Sequence, residues 1–302
     1  MNEPTIRVHN LHKAYGEVHA VRGIDLTIDP GVVFALLGPN GAGKTTVVEI
    51  LEGYRARDRG EVTVLGHDPA NGDRALRRRI GIVLQETGLD PFLTVAETIE
   101  RYRGYYPRPL GLDEVIAVVG LAEVSDARVT KLSGGQRRRL DVAIGLAGNP
   151  ELLFLDEPTT GFDPSARRGA WEMIKSLRAR GVTILLTTHY MDEAQALADR
   201  VAIIVSGVIV AEGTPDTLRA IGTTATTISF RLPVDAPDPP SSPGARHDDG
   251  RHVLSSEHPT HTLHELTAWA IENGIELEDL RVTSPSLEDV YLELTRTEKE
   301  KT

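Results

Sequence analysis

The sequence contains no cysteine among its 302 residues, which excludes disulfide bonds, thiolate-bound zinc and thiol catalysis. It also lacks a long apolar run, because stretches such as Val32–Leu37 and Val201–Val205 are far shorter than the roughly 18 residues that span a bilayer. The N-terminal segment MNEPTIRVHN is acidic and polar where a secretory signal has a basic start and an apolar block. We therefore expect a cytoplasmic chain that does not cross a membrane.

A surplus of positive charge is missing as well. The chain has 33 basic and 44 acidic residues, a net charge of -11. Proteins that bind nucleic acid usually carry a basic domain or stripe, so we expect no nucleic-acid partner. The 40% hydrophobic and 25% charged residues are typical of an ordinary folded protein.

Up to about Gly222, short β-branched runs alternate with helical stretches, a pattern typical of a sheet with crossover helices. The predicted strands are Ile6–Val8, Ile24–Ile28, Val32–Leu37, Glu61–Leu65, Ile80–Leu84, Leu152–Leu155, Thr183–Thr187, Val201–Val205 and Val208–Ala211. Strand signals disappear over about residues 86–150. Amphipathic stretches with Thr, Asp or Ser caps predict helices there at Val95–Tyr105, Asp113–Val119 and Ser133–Ala147. The pattern predicts an α/β domain over 1–222 with an inserted helical subdomain.

Residues 223–302 are predicted to form a small C-terminal α+β domain. A strand-like TTISFRL is followed by a Pro-rich linker at 233–250, a further strand and a helix near Leu263–Asn273. The segment SPSLEDVYLEL places Leu287, Val290, Tyr291 and Leu294 on one face of a helix. Such a stripe most often packs within its own domain.

Residues 38–45 read GPNGAGKT, which matches G-x-x-x-x-G-K-[ST] between an apolar strand and a helical run. The glycines let backbone N–H groups approach phosphate oxygens, and the helix adds its positive end. The compact ammonium of Lys44 suits such a narrow loop, and the hydroxyl of Thr45 is a predicted Mg²⁺ ligand. This pattern predicts a P-loop NTPase sheet. The predicted nucleotide-binding residues here are Gly38, Pro39, Asn40, Gly41, Ala42, Gly43, Lys44, Thr45 and Thr46.

Residues 151–158 read ELLFLDEP, an apolar strand that ends in two adjacent carboxylates. One carboxylate is enough for a metal, so we assign Mg²⁺ binding to Asp156 and assign to Glu157 the polarisation of a water that attacks the γ-phosphate. By itself the pair could be a charged turn at a strand end. Beside a phosphate loop it predicts Mg²⁺-dependent ATP hydrolysis.

Residues 132–136 read LSGGQ. Ser133 is placed to cap a helix, and Gly134 and Gly135 expose N–H groups at its positive end, which suits an anion. A lone SGG would be an ordinary cap. Here the full segment, with Gln136, resembles the signature of the ATP-binding cassette (ABC) family, and it lies shortly before ELLFLDEP as in that family. The resemblance covers Thr5 to about Pro215.

The resemblance implies roles for four further residues. Tyr15 would stack on adenine, and Gln85 would contact Mg²⁺ and the attacking water while leading into the helical insert. Asp163 would communicate across a dimer, and His189 would contact the γ-phosphate. A lone His or Gln is usually structural, but both of these close apolar strands, where such folds place their ligands.

The family also implies a head-to-tail homodimer with two ATP molecules at its interface. In that arrangement the Ser133 loop of one subunit caps the γ-phosphate held by Lys44 of the other. ATP binding then acts as a switch, driven by its higher affinity for the closed dimer.

The combination of a single cassette with the tail SPSLEDVYLELT resembles bacterial drug-resistance exporter ATPases of the daunorubicin type. These act with a separate integral membrane permease, which implies a chain attached peripherally to the cytoplasmic face of the membrane and driving efflux of a drug or lipid-like compound. An importer ATPase is an alternative, because the same motor serves either direction. A soluble ABC ATPase of translation or DNA repair is expected to carry two cassettes or a coiled-coil insert. A degenerate regulatory module would lack Glu157 or His189, and both are present.

Overall fold

The computed structural model describes residues 3–83, 88–220, 226–233, 236, 237, 239, 251–283 and 286–291. Contacts divide the chain into two compact units, Met1–Pro215 and Asp216–Thr302. The boundary near Gly222 and the assignment of 233–250 as a linker stay predictions, and most of that linker lies outside the described residues.

The first unit is built on a six-stranded sheet in the order β5-β6-β7-β3-β8-β9. Its strands are β3 (Val33–Leu37), β5 (Ile80–Val83), β6 (Leu152–Asp156), β7 (Thr183–Thr188), β8 (Arg200–Val205) and β9 (Val208–Gly213). Neighbouring strands are parallel except for the antiparallel pair β8 and β9. Every residue of β3 and β7 is buried, as expected for parallel strands covered on both faces. The predicted α/β fold is confirmed.

A second sheet in this unit is antiparallel, with the order β2-β1-β4. Its strands are β1 (Ile6–Tyr15), β2 (Val18–Ile28) and β4 (Arg59–Val64). The first two are much longer than the short apolar runs predicted. Their additional residues alternate irregularly between buried and exposed, because the register shifts between Val8 and Leu11 and again near His12 and Ala14. Such bulges break the period-2 signal that identifies a strand.

The helices of this unit are α1 (Lys44–Leu51), α2 (Arg74–Arg77), α3 (Val95–Arg103), α4 (Leu112–Val118), α5 (Gly134–Leu146), α6 (Pro164–Ala179), α7 (Met191–Leu197) and, across the boundary, α8 (Pro215–Arg219). Short 3-10 helices lie at Pro69–Asn71, Ala122–Val124 and Val129–Lys131. The helices predicted in the insert are present as α3, α4 and α5. Thr94 and Ser133 cap α3 and α5 in capping boxes, whereas Gly111 and not an Asp is the N-cap residue of α4.

The second unit contains an antiparallel sheet in the order β11-β10-β12 and one long helix. Its elements are β10 (Thr226–Arg231), β11 (Arg251–Ser256), α9 (Pro259–Glu272) and β12 (Glu278–Thr283), and residues 287–291 are helical. Its core is formed by Ile228, Phe230, Leu254 and Leu266. Leu287 and Val290 of the predicted stripe are buried, and Leu294 lies outside the described residues.

Among the residues that the structure describes, no helix combines the length and the apolar character needed to span a bilayer.

Candidate active site

Three segments with polar side chains follow neighbouring strands of the large sheet. The phosphate loop follows β3, the carboxylates Asp156 and Glu157 lie at the end of β6, and His189 follows β7. Because these strands are parallel, their carboxyl ends meet at one edge of the sheet, the usual place for a ligand in such folds. A cavity of about 370 Å³ lies there. It is lined by Ala20, Asn40, Gly41, Gly43, Lys44, Thr45, Thr46, Asp156 and Glu157.

The phosphate loop depends on glycine at positions where a side chain would collide with backbone. A Cβ on Gly38 would lie 2.3 Å from the carbonyl oxygen of Ile204, and one on Gly43 would lie 2.3 Å from that of Ala20. Gly41 has a φ of 80°, and a Cβ there would meet nothing within 4 Å. The loop therefore packs tightly on one side and faces open space at Gly41, next to the N-terminus of α1. This geometry suits an anion.

Lys44 is the buried cation of the site, with 5% of its side chain exposed. Its Nζ donates hydrogen bonds to the carbonyl oxygens of Gly38 at 2.7 Å and Pro39 at 3.1 Å, and it lies 3.9 Å from Oε1 of Glu157. Burial lowers the pKa of the Lys44 ammonium, and the carboxylates of Glu157 and Asp156 oppose that shift. A buried charge needs partners, which for Lys44 are these two carbonyl oxygens and Glu157, and its role in phosphate binding stays a prediction.

Polar contacts hold Glu157 through both its backbone and its side chain. Its N–H donates to Oγ1 of Thr187 at 3.1 Å, and its carboxylate accepts hydrogen bonds from Nδ1 of His189 at 3.0 Å and from the hydroxyl of Thr160 at 3.0 Å. Burial raises the pKa of this carboxyl, but the bonds from His189 and Thr160 and the charge of Lys44 outweigh burial and hold the pKa below its ordinary value. The group is therefore ionised at neutral pH, as a general base must be.

Asp156 supplies a second carboxylate at the same edge. One of its oxygens accepts a hydrogen bond from the hydroxyl of Thr187, and the residue lines the cavity together with Thr45. Carboxylate and hydroxyl oxygens are the ligands that Mg²⁺ prefers. Within the described ranges no group of three or more His, Asp or Glu could hold a metal by itself. A magnesium ion here would complete its ligands with substrate phosphates and water, as is usual for this ion.

The predicted anion site at the start of α5 has the expected local geometry. Oγ of Ser133 accepts a hydrogen bond from the N–H of Gln136 at 3.2 Å, and the side chain of Gln136 accepts one from the N–H of Ser133 at 2.9 Å. Ser133 and Gly134 are exposed, and a Cβ on Gly134 would meet nothing within 4 Å. No residue from Ser133 to Gln136 lines the cavity beside the phosphate loop. Within one chain this predicted anion site is therefore not part of that cavity.

Other predicted residues have local contacts that do not test their roles. Asp163 is the N-cap of α6, and bonds from the N–H groups of Ala166 and Ser165 lower its pKa. The ring of Tyr15 lies near two cations, Lys13 Nζ at 5.6 Å and the Arg55 guanidinium at 5.2 Å from its centroid. Gln85 lies outside the described residues. The assignments of Tyr15, Gln85 and Asp163 stay predictions.

The structure adds residues that the sequence analysis missed. Thr187 contacts both Asp156 and Glu157, and Thr160 contacts Glu157. A signal was present for Thr187, since polar Thr187 and Thr188 follow the apolar run Ile184–Leu186 at the end of the strand. Ala20, a small residue of β2, lines the cavity without any pattern that could identify it.

Fold and site together define a P-loop ATPase. The profile of the family described as "ABC transporter" matches residues 21–160, and that of "ABC transporter domain-containing protein-like, C-terminal domain" matches residues 226–286. The chain is 37% identical to the daunorubicin resistance ATP-binding protein DrrA3 of Streptomyces coeruleorubidus, over 98% of this chain and 97% of that protein. It is 39% identical to the Nod factor export ATP-binding protein I of Bradyrhizobium diazoefficiens, over 100% and 99%. The chain belongs to the ATP-binding subunits of the ABC transporter family.

Solved structures agree with this assignment. The cbiO1 protein of Clostridium perfringens, part of an ABC transporter complex, is 28% identical with a TM-score of 0.65, over 72% of this chain and 92% of that one. A dimeric ATP-binding cassette in a post-hydrolysis state with ADP and Pi is 26% identical with a TM-score of 0.61, over 69% and 98%. The chain is accordingly an ATP-hydrolysing cassette of the ABC type.

Proposed function

We propose that this ATPase drives export through a separate integral membrane permease, with a drug or a lipid-like compound as the transported substrate. The observation that carries the proposal is the similarity to a daunorubicin resistance protein and a Nod factor export protein, which extends over nearly the whole chain and so includes the C-terminal unit. The proposal places the chain at the cytoplasmic face of the membrane, attached through the permease.

In the proposed reaction, Glu157 accepts a proton from the water that attacks the γ-phosphate. His189, hydrogen-bonded to that carboxylate, orients it and contacts the same phosphate, while Lys44 neutralises charge that develops on the phosphate oxygens. Thr45 and Asp156 would hold Mg²⁺, with Gln85 as a further ligand. The ion supplies charge stabilisation on the phosphates. The protein thus contributes mainly positioning and fixed charge, as phosphoryl transfer requires.

The complete site is proposed to form between two copies of the chain. Because Ser133, Gly134 and Gly135 are separate from the cavity in one chain, their exposed N–H groups are available to the phosphate bound by a second chain. Tyr15 would cover the adenine and Asp163 would lie at the dimer interface. Two ATP molecules would then close the dimer, and closure would move the permease.

The C-terminal unit is proposed to stabilise assembly with the permease and to take no part in hydrolysis. The sequence after Thr226 contains no second G-x-x-x-x-G-K-[ST] segment, and the described residues of this unit form a small sheet packed on α9. A chain that ends at Gly222 is expected to bind ATP like the full chain but to lose membrane association and export. The measurement is co-purification with a membrane permease co-expressed with it, together with ATP-driven accumulation of a fluorescent amphiphile in inside-out vesicles.

The control in this experiment is the full-length chain at equal abundance, and nucleotide binding shows that the shortened chain is folded. If the folded, shortened chain still co-purifies and supports accumulation, the assembly role is wrong. If full-length vesicles accumulate nothing with ATP but release a solute from the lumen when a solute-binding protein is enclosed there, the direction of transport is import.

A further inference from the structure

Arg138 lies on α5, the helix that starts at the LSGGQ segment, and its side chain is only 11% exposed. Its guanidinium contacts the chain that follows β6. Nη2 donates a hydrogen bond to the carbonyl oxygen of Asp156 at 2.9 Å, and Nε donates one to that of Pro158 at 3.4 Å. These two carbonyls belong to the residues immediately before and after Glu157. A single side chain from the helical insert therefore holds the backbone on both sides of the proposed base.

The backbone at Glu157 needs such support. Its φ is 45°, in the left-handed region that residues with a side chain rarely adopt. A conformation of this kind persists where surrounding contacts determine it, and it is often found at functional sites. Here the contacts are the bonds from the Glu157 N–H to Thr187 on β7 and the bonds from Arg138 on α5.

Nearby carboxylates compensate the positive charge of Arg138. Burial lowers the pKa of the guanidinium, and the carboxylates of Asp141, Asp156 and Glu193 oppose that shift. Asp141, also on α5 and also buried, lies 4.0 Å from Nη1. Arginine remains protonated under these conditions, and its planar fork presents several donors in fixed directions. A lysine could keep the charge beside Asp141 but could not reproduce the planar fork that reaches both carbonyls.

We propose that Arg138 is a positioning residue for hydrolysis: it fixes the backbone around Glu157 so that the carboxylate stays against His189 and Thr160. It thereby ties the signature helix to the base of the same chain. The inference rests on the proposed role of Glu157 as the base. It extends that role by naming a residue outside the GPNGAGKT, LSGGQ and ELLFLDEP segments.

Arg138→Met removes both donors while keeping an unbranched side chain with an apolar stem. We expect ATP affinity to stay within about threefold of the wild type, and kcat to fall by about 10–100-fold, the range reached when reacting groups are misplaced by about 1 Å. A purely structural role would change stability and ATP affinity together with kcat. The matched control is Arg168→Met, an exposed arginine on α6, which should hydrolyse ATP like the wild type. Thermal unfolding of each variant reports on the fold.

Arg138→Lys decides the question if the Met variant does not fold, because it keeps a positive charge beside Asp141. It is expected to fold and bind ATP, with kcat lowered by about tenfold since the donors are no longer fixed in a plane. Folded Arg138→Lys or Arg138→Met protein that turns over at the wild-type rate would overturn the inference.

Combining Arg138→Met with Glu157→Gln tests whether Arg138 acts through Glu157. When one residue acts through another, the effects of substituting them are not additive. In the Glu157→Gln background, Arg138→Met should therefore change the residual rate by less than about twofold. An equal loss in both backgrounds would contradict the inference and leave the proposed base intact. Near-normal turnover of Glu157→Gln by itself would instead refute the proposed base, and this inference with it.

Discussion

Glu157→Gln is expected to leave ATP binding intact and to lower hydrolysis by on the order of 10²–10⁴-fold, the usual contribution of a general base. The amide has nearly the same size as the carboxylate, so the cavity beside Lys44 keeps its shape, but it cannot accept a proton from water. Phosphate release in a single turnover measures the loss. Because ATP is bound and not consumed, the variant should also accumulate as an ATP-bound dimer, which sedimentation detects.

Glu172→Gln is a matched control for that variant. Glu172 lies on α6, 74% of its side chain is exposed, and its partner is Lys175 at 3.1 Å. Exposed ion pairs of this kind contribute little, so turnover should remain at the wild-type level. If Glu157→Gln hydrolysed ATP nearly as fast as Glu172→Gln, another group would have to be the base.

Much of the large sheet was predictable because its strands are buried on both faces. Parallel strands of this kind give continuous apolar runs, and the runs at β3, β6, β7 and β8 identified them within a few residues. The order of the strands was not predictable from these runs. The strand order depends on which long-range pairs form. Strand β3 lies between β7 and β8 although it is far from both of them in sequence.

The edges of the fold were harder to predict for a physical reason. In β1 and β2 one face is open and the register shifts, so apolar residues alternate irregularly and only short pieces carry a strand signal. At α4 the first N–H groups follow Gly111, which has no side chain to act as a cap. Strands and helix starts are predicted from patterns of burial and from capping side chains. Burial is irregular in β1 and β2, and α4 has no capping side chain, so both signals are weak there.

Motifs supplied the candidate site residues, but not the contacts between them. The bond between His189 and Glu157 joins residues that directly follow two strands, and the parallel pairing of β6 and β7 brings them together. Consecutive residues of a helix point in different directions, so the run Arg137, Arg138, Arg139 does not show which of its side chains turns inward. In the structure Arg137 is exposed while Arg138 is nearly buried against the carbonyls of Asp156 and Pro158. Which arginine turns inward is decided by tertiary packing.

The second prediction with a large expected effect concerns the ATP site that two chains are proposed to form together. Lys44→Ala removes the buried cation of the phosphate loop, and Gly134→Asp places a negative charge where the signature is proposed to meet the partner's phosphate. Because a Cβ on Gly134 would meet nothing within 4 Å, the Asp variant is expected to fold. Each variant should be nearly inactive by itself, since both sites of its homodimer carry the defect.

Mixing these two variants tests whether two chains share each ATP site. In a mixed dimer the loop of the Gly134→Asp chain meets the signature of the Lys44→Ala chain, and that site is intact. Random pairing makes about half of the dimers mixed, each with one intact site, so phosphate release should return to about a quarter of the wild-type rate. A mixture of Lys44→Ala with Glu157→Gln serves as the control. Both of its defects lie on the phosphate-loop side of the site, so it should recover nothing.

The decisive measurement is therefore phosphate release by the two mixtures at a protein concentration where ATP-dependent dimers form. Recovery is expected when Lys44→Ala is mixed with Gly134→Asp, and none is expected when it is mixed with Glu157→Gln. Turnover in the first mixture that does not exceed that of either variant alone would contradict a site shared between two chains.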